Sequence, residues 1–141
     1  MKQTELISVE NIYKAKVRLK NVAIKTPLMY NQYYSEKYNC TIYLKREDLQ
    51  VVRSYKIRGA YNRISTLEQT DQNPAVVCAS AGNHAQGVAY SCQLLKVKAT
   101  IFMPAPTPNQ KVDQVKFFGK DFVEIILLGE RYPRSPFTHD L

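Results

Sequence analysis

No apolar run in this chain approaches the roughly 20 residues that a membrane-spanning helix needs. A membrane role is therefore not expected. The opening Met1-Lys2-Gln3-Thr4-Glu5-Leu6 has no apolar stretch of the secretory kind, so secretion is not expected either. Cysteines are few. Cys40, Cys78 and Cys92 are an odd number with no CxxC or metal-like spacing, which argues against a disulfide framework and against a metal site. They read as reduced thiols of a cytoplasmic protein, buried as small hydrophobes. The net charge is +8, yet no block of five basic residues and no nucleic-acid motif occurs, so the expectation is no nucleic-acid partner. Some of the excess charge suits an anionic phosphate or carboxylate. What is present is 141 residues, enough for one domain with a core.

The apolar periodicity alternates between helix and strand. Ser8 is placed to cap a helix from about Val9 to Leu19, with Ile12, Ala15 and Leu19 on a face that docks on a core. A short helix follows near Gln32 to Tyr38, then a strand over Thr41 to Lys45 and a polar corner at Arg46-Glu47-Asp48. Ser54 is read as the cap of a helix reaching about Leu67, with Ile57, Ala60, Ile64 and Leu67 inward. Ala75 to Ala79 is a strand, Ala85 to Leu95 a helix, and Ala99 to Met103 a strand. Asn109 is read as the cap of a further helix that Gly119 stops, before a last strand over Val123 to Leu128. This βαβαβ order predicts an α/β fold, an open parallel sheet with helices on both faces. The stretch from Gly129 to Leu141 has no periodicity and two prolines, which predicts loose packing.

Two stretches carry chemistry. In Ser54-Tyr55-Lys56-Ile57-Arg58-Gly59-Ala60 a lysine sits at the start of a helix. The positive end of the helix dipole disfavours an ammonium there, and Arg53 and Arg58 act in the same sense. Such an amine can act as a Schiff-base nucleophile, whereas a solvated helix lysine is the plain alternative. In Ala79-Ser80-Ala81-Gly82-Asn83-His84-Ala85-Gln86-Gly87 a small-residue turn runs from strand to helix and presents backbone N–H groups to an anion. Asn83 also suits the turn itself, and His84 the start of the helix. Glu47 and Asp48 are read as capping a loop or neutralising Lys45 and Arg46 rather than acting as an acid–base pair. Tyr30, Tyr33, Tyr34 and Tyr38 form either an aromatic surface or packing against the first helix, the second being preferred.

These stretches, with Thr26-Pro27-Leu28, Tyr43-Leu44-Lys45-Arg46-Glu47-Asp48-Leu49-Gln50 and Lys111-Val112-Asp113-Gln114-Val115, resemble the threonine dehydratases of the fold type II pyridoxal-phosphate family. The resemblance covers roughly Val9 to Gly129 and is closer to the biosynthetic branch. It implies residues 1–53 as the N-terminal part of a large cofactor domain, 54–128 as part of a smaller α/β domain and 129–141 as a tail outside the family. It implies Lys56 as the Schiff-base lysine that moves protons at the substrate α-carbon, and Asn83 as the partner of the ring hydroxyl of pyridoxal 5'-phosphate. Tyr55, where the family usually has phenylalanine, lies beside the cofactor. Ser80, Ala81, Gly82 and His84 grip the substrate carboxylate. The implied reaction deaminates L-threonine to 2-oxobutanoate and ammonia in isoleucine synthesis, with L-serine as an alternative substrate and a homo-oligomer as the complete enzyme.

One departure is large. The family's glycine-rich phosphate cradle is missing, for this chain has five glycines and none forms such a run. The resemblance therefore leads to a truncated or frameshifted, inactive form, with Ile12, Leu19, Ile125 and Leu127 short of partners. The alternatives are a non-catalytic fragment and a small basic binding module.

Overall fold

In the computed structural model, which describes residues 8–67 and 76–129, β4 is the hub. β4 (Ala99–Pro104) lies between β3 (Val76–Ala79) and β5 (Val123–Leu128), parallel to both. Cys78 registers with Ile101, and Ile101 with Ile125. The strand alternates sides with period two. Ala99, Ile101 and Met103 are buried, while Thr100 and Phe102 on the other side are half-buried.

The buried side meets α4 (Asn83–Leu95), which supplies Ala85, Val88, Ala89 and Cys92. It also meets α5 (Asn109–Gly119), which supplies Val112 and Val115. Burial of each large aliphatic side chain here contributes about 1.5–3 kcal/mol. α3 (Lys56–Ile64) adds Ala60 and Ile64 to the same cluster. The parallel sheet with packed helices is the expected α/β arrangement. The expected second helical layer differs: α3, α4 and α5 share one face, and on the other face Val77 is 69% exposed. Consecutive strands that lie side by side place both crossovers, α4 and α5, on one side.

The N-terminal part adds no residue to that cluster. α1 (Val9–Arg18) has the predicted cap, with Asn11 N–H donating to Ser8 Oγ at 3.1 Å. It buries no residue, and Ile12 is 57% exposed, so the expected docking of its apolar face is not found. β1 (Leu28–Tyr30) and β2 (Tyr43–Lys45) pair antiparallel around α2 (Gln32–Tyr38). The tyrosines do not pack on α1. They pack on each other and on β2, with Tyr30 edge-on to Tyr43 at 5.8 Å and Tyr34 stacked on Tyr38 at 6.2 Å.

Other local expectations shift for physical reasons. Ser54 does not cap α3. Tyr55 occupies that position with no side-chain hydrogen bond, and Ser54 Oγ is buried with no hydrogen-bond partner among the described residues. Asn109 is the first residue of α5, after Pro108, whose ring has no side-chain donor or acceptor to cap it. Gly119 lies inside the last turn and is needed for space, since a Cβ there would meet Val123 Cβ at 2.5 Å. Cys40 is exposed, while Cys78 and Cys92 are buried as expected. Ile125 packs against the core, and Leu127 stays 41% exposed. The tail from residue 130 to 141 lies outside the described residues.

Candidate functional site

Lys56 is the first residue of α3 and is half-buried. Its Nζ lies 5.2 Å from the centroid of the Tyr55 ring, a cation–π distance. Tyr55, Lys56, Arg58, Gly59, Ala60 and His84 line a cleft of about 260 Å³. The partners that bring His84 here are on α4, whose first turn crosses that of α3. Gly87 makes the crossing possible: a Cβ on it would lie 3.1 Å from the Lys56 carbonyl.

Ser80 ends β3, its N–H donating to Phe102 O at 3.0 Å. Gly82 N–H approaches Ser80 Oγ at 3.4 Å, which folds the small-residue turn over the serine. Ser80 and Ala81 line a second cleft, of about 350 Å³, with Ala79, Phe102, Met103, Pro104 and Leu128. It lies at the carboxyl ends of β3, β4 and β5, where open α/β sheets bind ligands. Asn83 and His84 open α4 and are exposed. The structure thus brings Lys56, Tyr55 and His84 into one cleft and sets Ser80 and Ala81 in a neighbouring one, with Gly82 and Asn83 joining them along the chain. Of the residues Ser80 to His84, only His84 lines the cleft that Lys56 lines.

The electrostatics near Lys56 also differ from expectation. Arg58 does not confront it as an unopposed cation. Arg58 Nε donates to Glu47 Oε2 at 2.8 Å, and Nη2 to Glu47 Oε1 at 2.8 Å, a bidentate fork. These bonds, with Thr26 Oγ1 donating to Oε1 at 2.6 Å, hold the Glu47 carboxyl down at about 2 although burial pushes it up. Asp48 does pair with Arg46, at 2.7 Å. Glu47 neutralises neither Lys45 nor Arg46, and Lys45 donates instead to Thr26 O. Gln50 completes the cluster. It is 1% exposed and donates to Ile24 O at 2.9 Å and to Glu47 Oε2 at 3.2 Å. Thr26, Glu47, Gln50 and Arg58 come from three separate segments, so no spacing in the sequence announces their convergence.

Among the described residues no group of three or more His, Cys, Asp or Glu side chains is placed to hold a metal, and no helix is long and apolar enough to cross a membrane.

The sequence pattern of the pyridoxal-phosphate dependent enzymes matches residues 19–136. That match runs past Gly129, where the family resemblance read from the sequence stops. The chain is 59% identical over 129 residues to the L-threonine dehydratase biosynthetic IlvA of Halalkalibacterium halodurans, covering 92% of this chain and 31% of that protein. It is 55% identical over 132 residues to the same-named protein of Bacillus subtilis, covering 94% of this chain and 31% of the other. Among solved structures, the processed form of threonine deaminase isoform 2 from Solanum lycopersicum matches with TM-score 0.70 and 39% identity, over 88% of this chain and 35% of that one. Maize serine racemase matches with TM-score 0.76 and 30% identity, over 86% and 37%. The chain therefore spans about a third of the length of these relatives.

Proposed function

The chain belongs to the pyridoxal-phosphate-dependent enzyme family, and we propose that it is the lysine-bearing part of an L-threonine ammonia-lyase, inactive by itself. The observation that carries this reading is the position of Lys56, at the first turn of α3 and in a cleft shared with Tyr55 and His84. The 59% identity to a biosynthetic threonine dehydratase supports threonine rather than serine as the substrate.

The residues present fit the reactive end of pyridoxal 5'-phosphate. A half-buried amine opens on a cleft beside an aromatic ring. When bound, the cofactor supplies an electron sink for negative charge at the substrate α-carbon. Lys56 Nζ would hold the cofactor, and would take and return the α-proton. Asn83, at the start of α4, would donate its side-chain amide to the ring hydroxyl, and Tyr55 would flank the ring. The substrate carboxylate would lie at the turn Ser80-Ala81-Gly82 before α4, where the positive end of a helix favours an anion, with His84 at its edge. Loss of the α-proton and the β-hydroxyl removes water. Hydrolysis of the resulting enamine consumes one water and releases ammonia, so threonine yields 2-oxobutanoate and ammonia in balance.

Residues 1–53 and 54–128 are assigned to the large and smaller cofactor domains, and 129–141 to a tail. The reading includes a cytoplasmic location and a homo-oligomer for the complete enzyme. The phosphate cradle has no counterpart among the five glycines of this chain. The test is a fusion of residues 1–129 to the remaining two thirds of the Bacillus subtilis relative. Threonine deamination by the fusion, lost on Lys56→Ala, is the expected result. A fusion that folds and is inactive, or an active Lys56→Ala fusion, overturns the reading. The isolated chain is expected to form 2-oxobutanoate no faster than free pyridoxal phosphate does.

A further inference from the structure

The first turn of α3 has no capping side chain. Tyr55 is in a helical conformation with no side-chain cap bond, and Ser54 Oγ contributes nothing. Such turns fray unless tertiary contacts hold them. Two contacts do so here. On one side Gly87 of α4 touches the Lys56 backbone. On the other, Arg58 reaches out of the turn to Glu47 through two bonds of 2.8 Å and to Ile24 O at 3.0 Å.

Glu47 is itself fixed, by Thr26 Oγ1 at 2.6 Å and Gln50 Nε2 at 3.2 Å, and Gln50 grips the Ile24 backbone through both its amide nitrogen and oxygen, at 2.9 and 3.0 Å. The side chains are well shielded: Thr26 is 3% and Gln50 1% exposed. Lys56 and Arg58 are two residues apart, so they leave the helix about 200° apart. Anchoring Arg58 to Glu47 at the rim of the cleft therefore fixes the rotation of the turn that carries Lys56.

Building on the assignment of Lys56 as the cofactor lysine, we infer that Glu47 and Arg58 are positioning residues. Their half-buried fork fixes the rotation of the first turn of α3 and so aims the Lys56 amine. Neither residue touches the reacting atoms. A guanidinium is required for this, because it alone can meet both carboxylate oxygens and Ile24 O at once, while an ammonium is a point charge.

The test uses the whole chain with pyridoxal 5'-phosphate as probe. Borohydride traps the aldehyde on lysines, and peptide mass analysis gives the share of label on Lys56 relative to all other lysines. Hydrogen exchange at the amides of residues 57–60 is measured in parallel. In Glu47→Gln the Lys56 share is expected to fall at least threefold, and exchange at 57–60 to rise at least tenfold, with the helical signal kept. Arg58→Lys, milder because it keeps the charge, moves both in the same direction and serves if Glu47→Gln does not fold. Glu47→Asp restores part of the effect. Unchanged exchange in folded Glu47→Gln overturns the inference, as does raised exchange with an unchanged Lys56 share. If the unaltered chain shows no preference for Lys56, it is the cofactor assignment that fails, and the exchange measurement still decides whether the fork holds the turn.

Discussion

Gly87 lies against the backbone of Lys56: a Cβ at residue 87 would sit 3.1 Å from the Lys56 carbonyl carbon and oxygen and 3.3 Å from Ile57 N. Those atoms are main chain and cannot rotate aside. Alanine would gain up to about 1 kcal/mol in helix propensity, but forcing α3 and α4 apart costs about 1–3 kcal/mol. Gly87→Ala is therefore expected to lower stability by about 1 kcal/mol in a urea titration. Gly59 is the contrast. It lies within α3, and a Cβ there meets nothing within 4 Å. Gly59→Ala is expected to raise stability by about 0.5–1 kcal/mol. Equal effects at the two sites would contradict the helix crossing described here.

The Glu47 carboxyl sets a pH window. Its folded value is about 2, against an ordinary 4.5, because Arg58 hydrogen-bonds the charged form. A depressed carboxyl contributes stability that is present above about 4.5 and is lost as pH falls toward 2. The depression corresponds to at most about 3 kcal/mol. Arg58 is 35% exposed, and screening by water reduces the figure to about 1–2 kcal/mol. The stability difference between the parent and Glu47→Gln is thus expected to shrink as pH is lowered from 6 to 2. A difference that stays constant over that range would show that the carboxylate charge is not what Arg58 holds.

The thiols divide by burial. Burial pushes the Cys92 thiol up to about 12, with a smaller push from Cys78, and burial raises Cys78 as well. At pH 8 roughly one Cys92 in ten thousand is thiolate, the reactive form. Cys40 is exposed. A disulfide reagent is expected to label Cys40 quickly in the folded chain, and Cys78 and Cys92 only on unfolding. Fast labelling of all three would mean that the core between α4 and β4 is open.

How much of this was legible beforehand depended on the range of the interaction. Local periodicity located α2, β5 and the Ser8 cap, since hydrogen bonds and side-chain spacing within one element decide them. The Ser54 cap failed because α3 begins one residue later than a Ser54 cap requires: Tyr55 holds the cap position, and Ser54 Oγ is buried without a bond. α1 misled in another way. Its apolar stripe is real, but a stripe records that something covers it and not what. The Lys56 site was legible as a lysine at a helix start. The fork that holds it was not, because Glu47, Arg58 and Thr26 meet only through tertiary folding.

Arg53 itself supports a final prediction. At φ 57° it is in the left-handed region, with its N–H donating to Gln50 O at 2.8 Å, and this turn delivers the chain into α3. A side chain in that region costs about 1–2 kcal/mol, which glycine does not incur. Glycine instead loses about 0.5–1 kcal/mol to the entropy of the unfolded chain. Arg53→Gly is therefore expected to be neutral or stabilising by up to about 1 kcal/mol. Arg53→Val, β-branched and poorly suited to positive φ, is expected to lower stability by about 1–2 kcal/mol more than the parent's own strain. No hydrogen bond or ion pair joins the Arg53 side chain to the Glu47–Arg58 fork, so the Lys56 share of borohydride-trapped label should be unchanged in Arg53→Gly. A destabilised Arg53→Gly chain would show that the arginine side chain, and not the backbone turn, is what this position contributes.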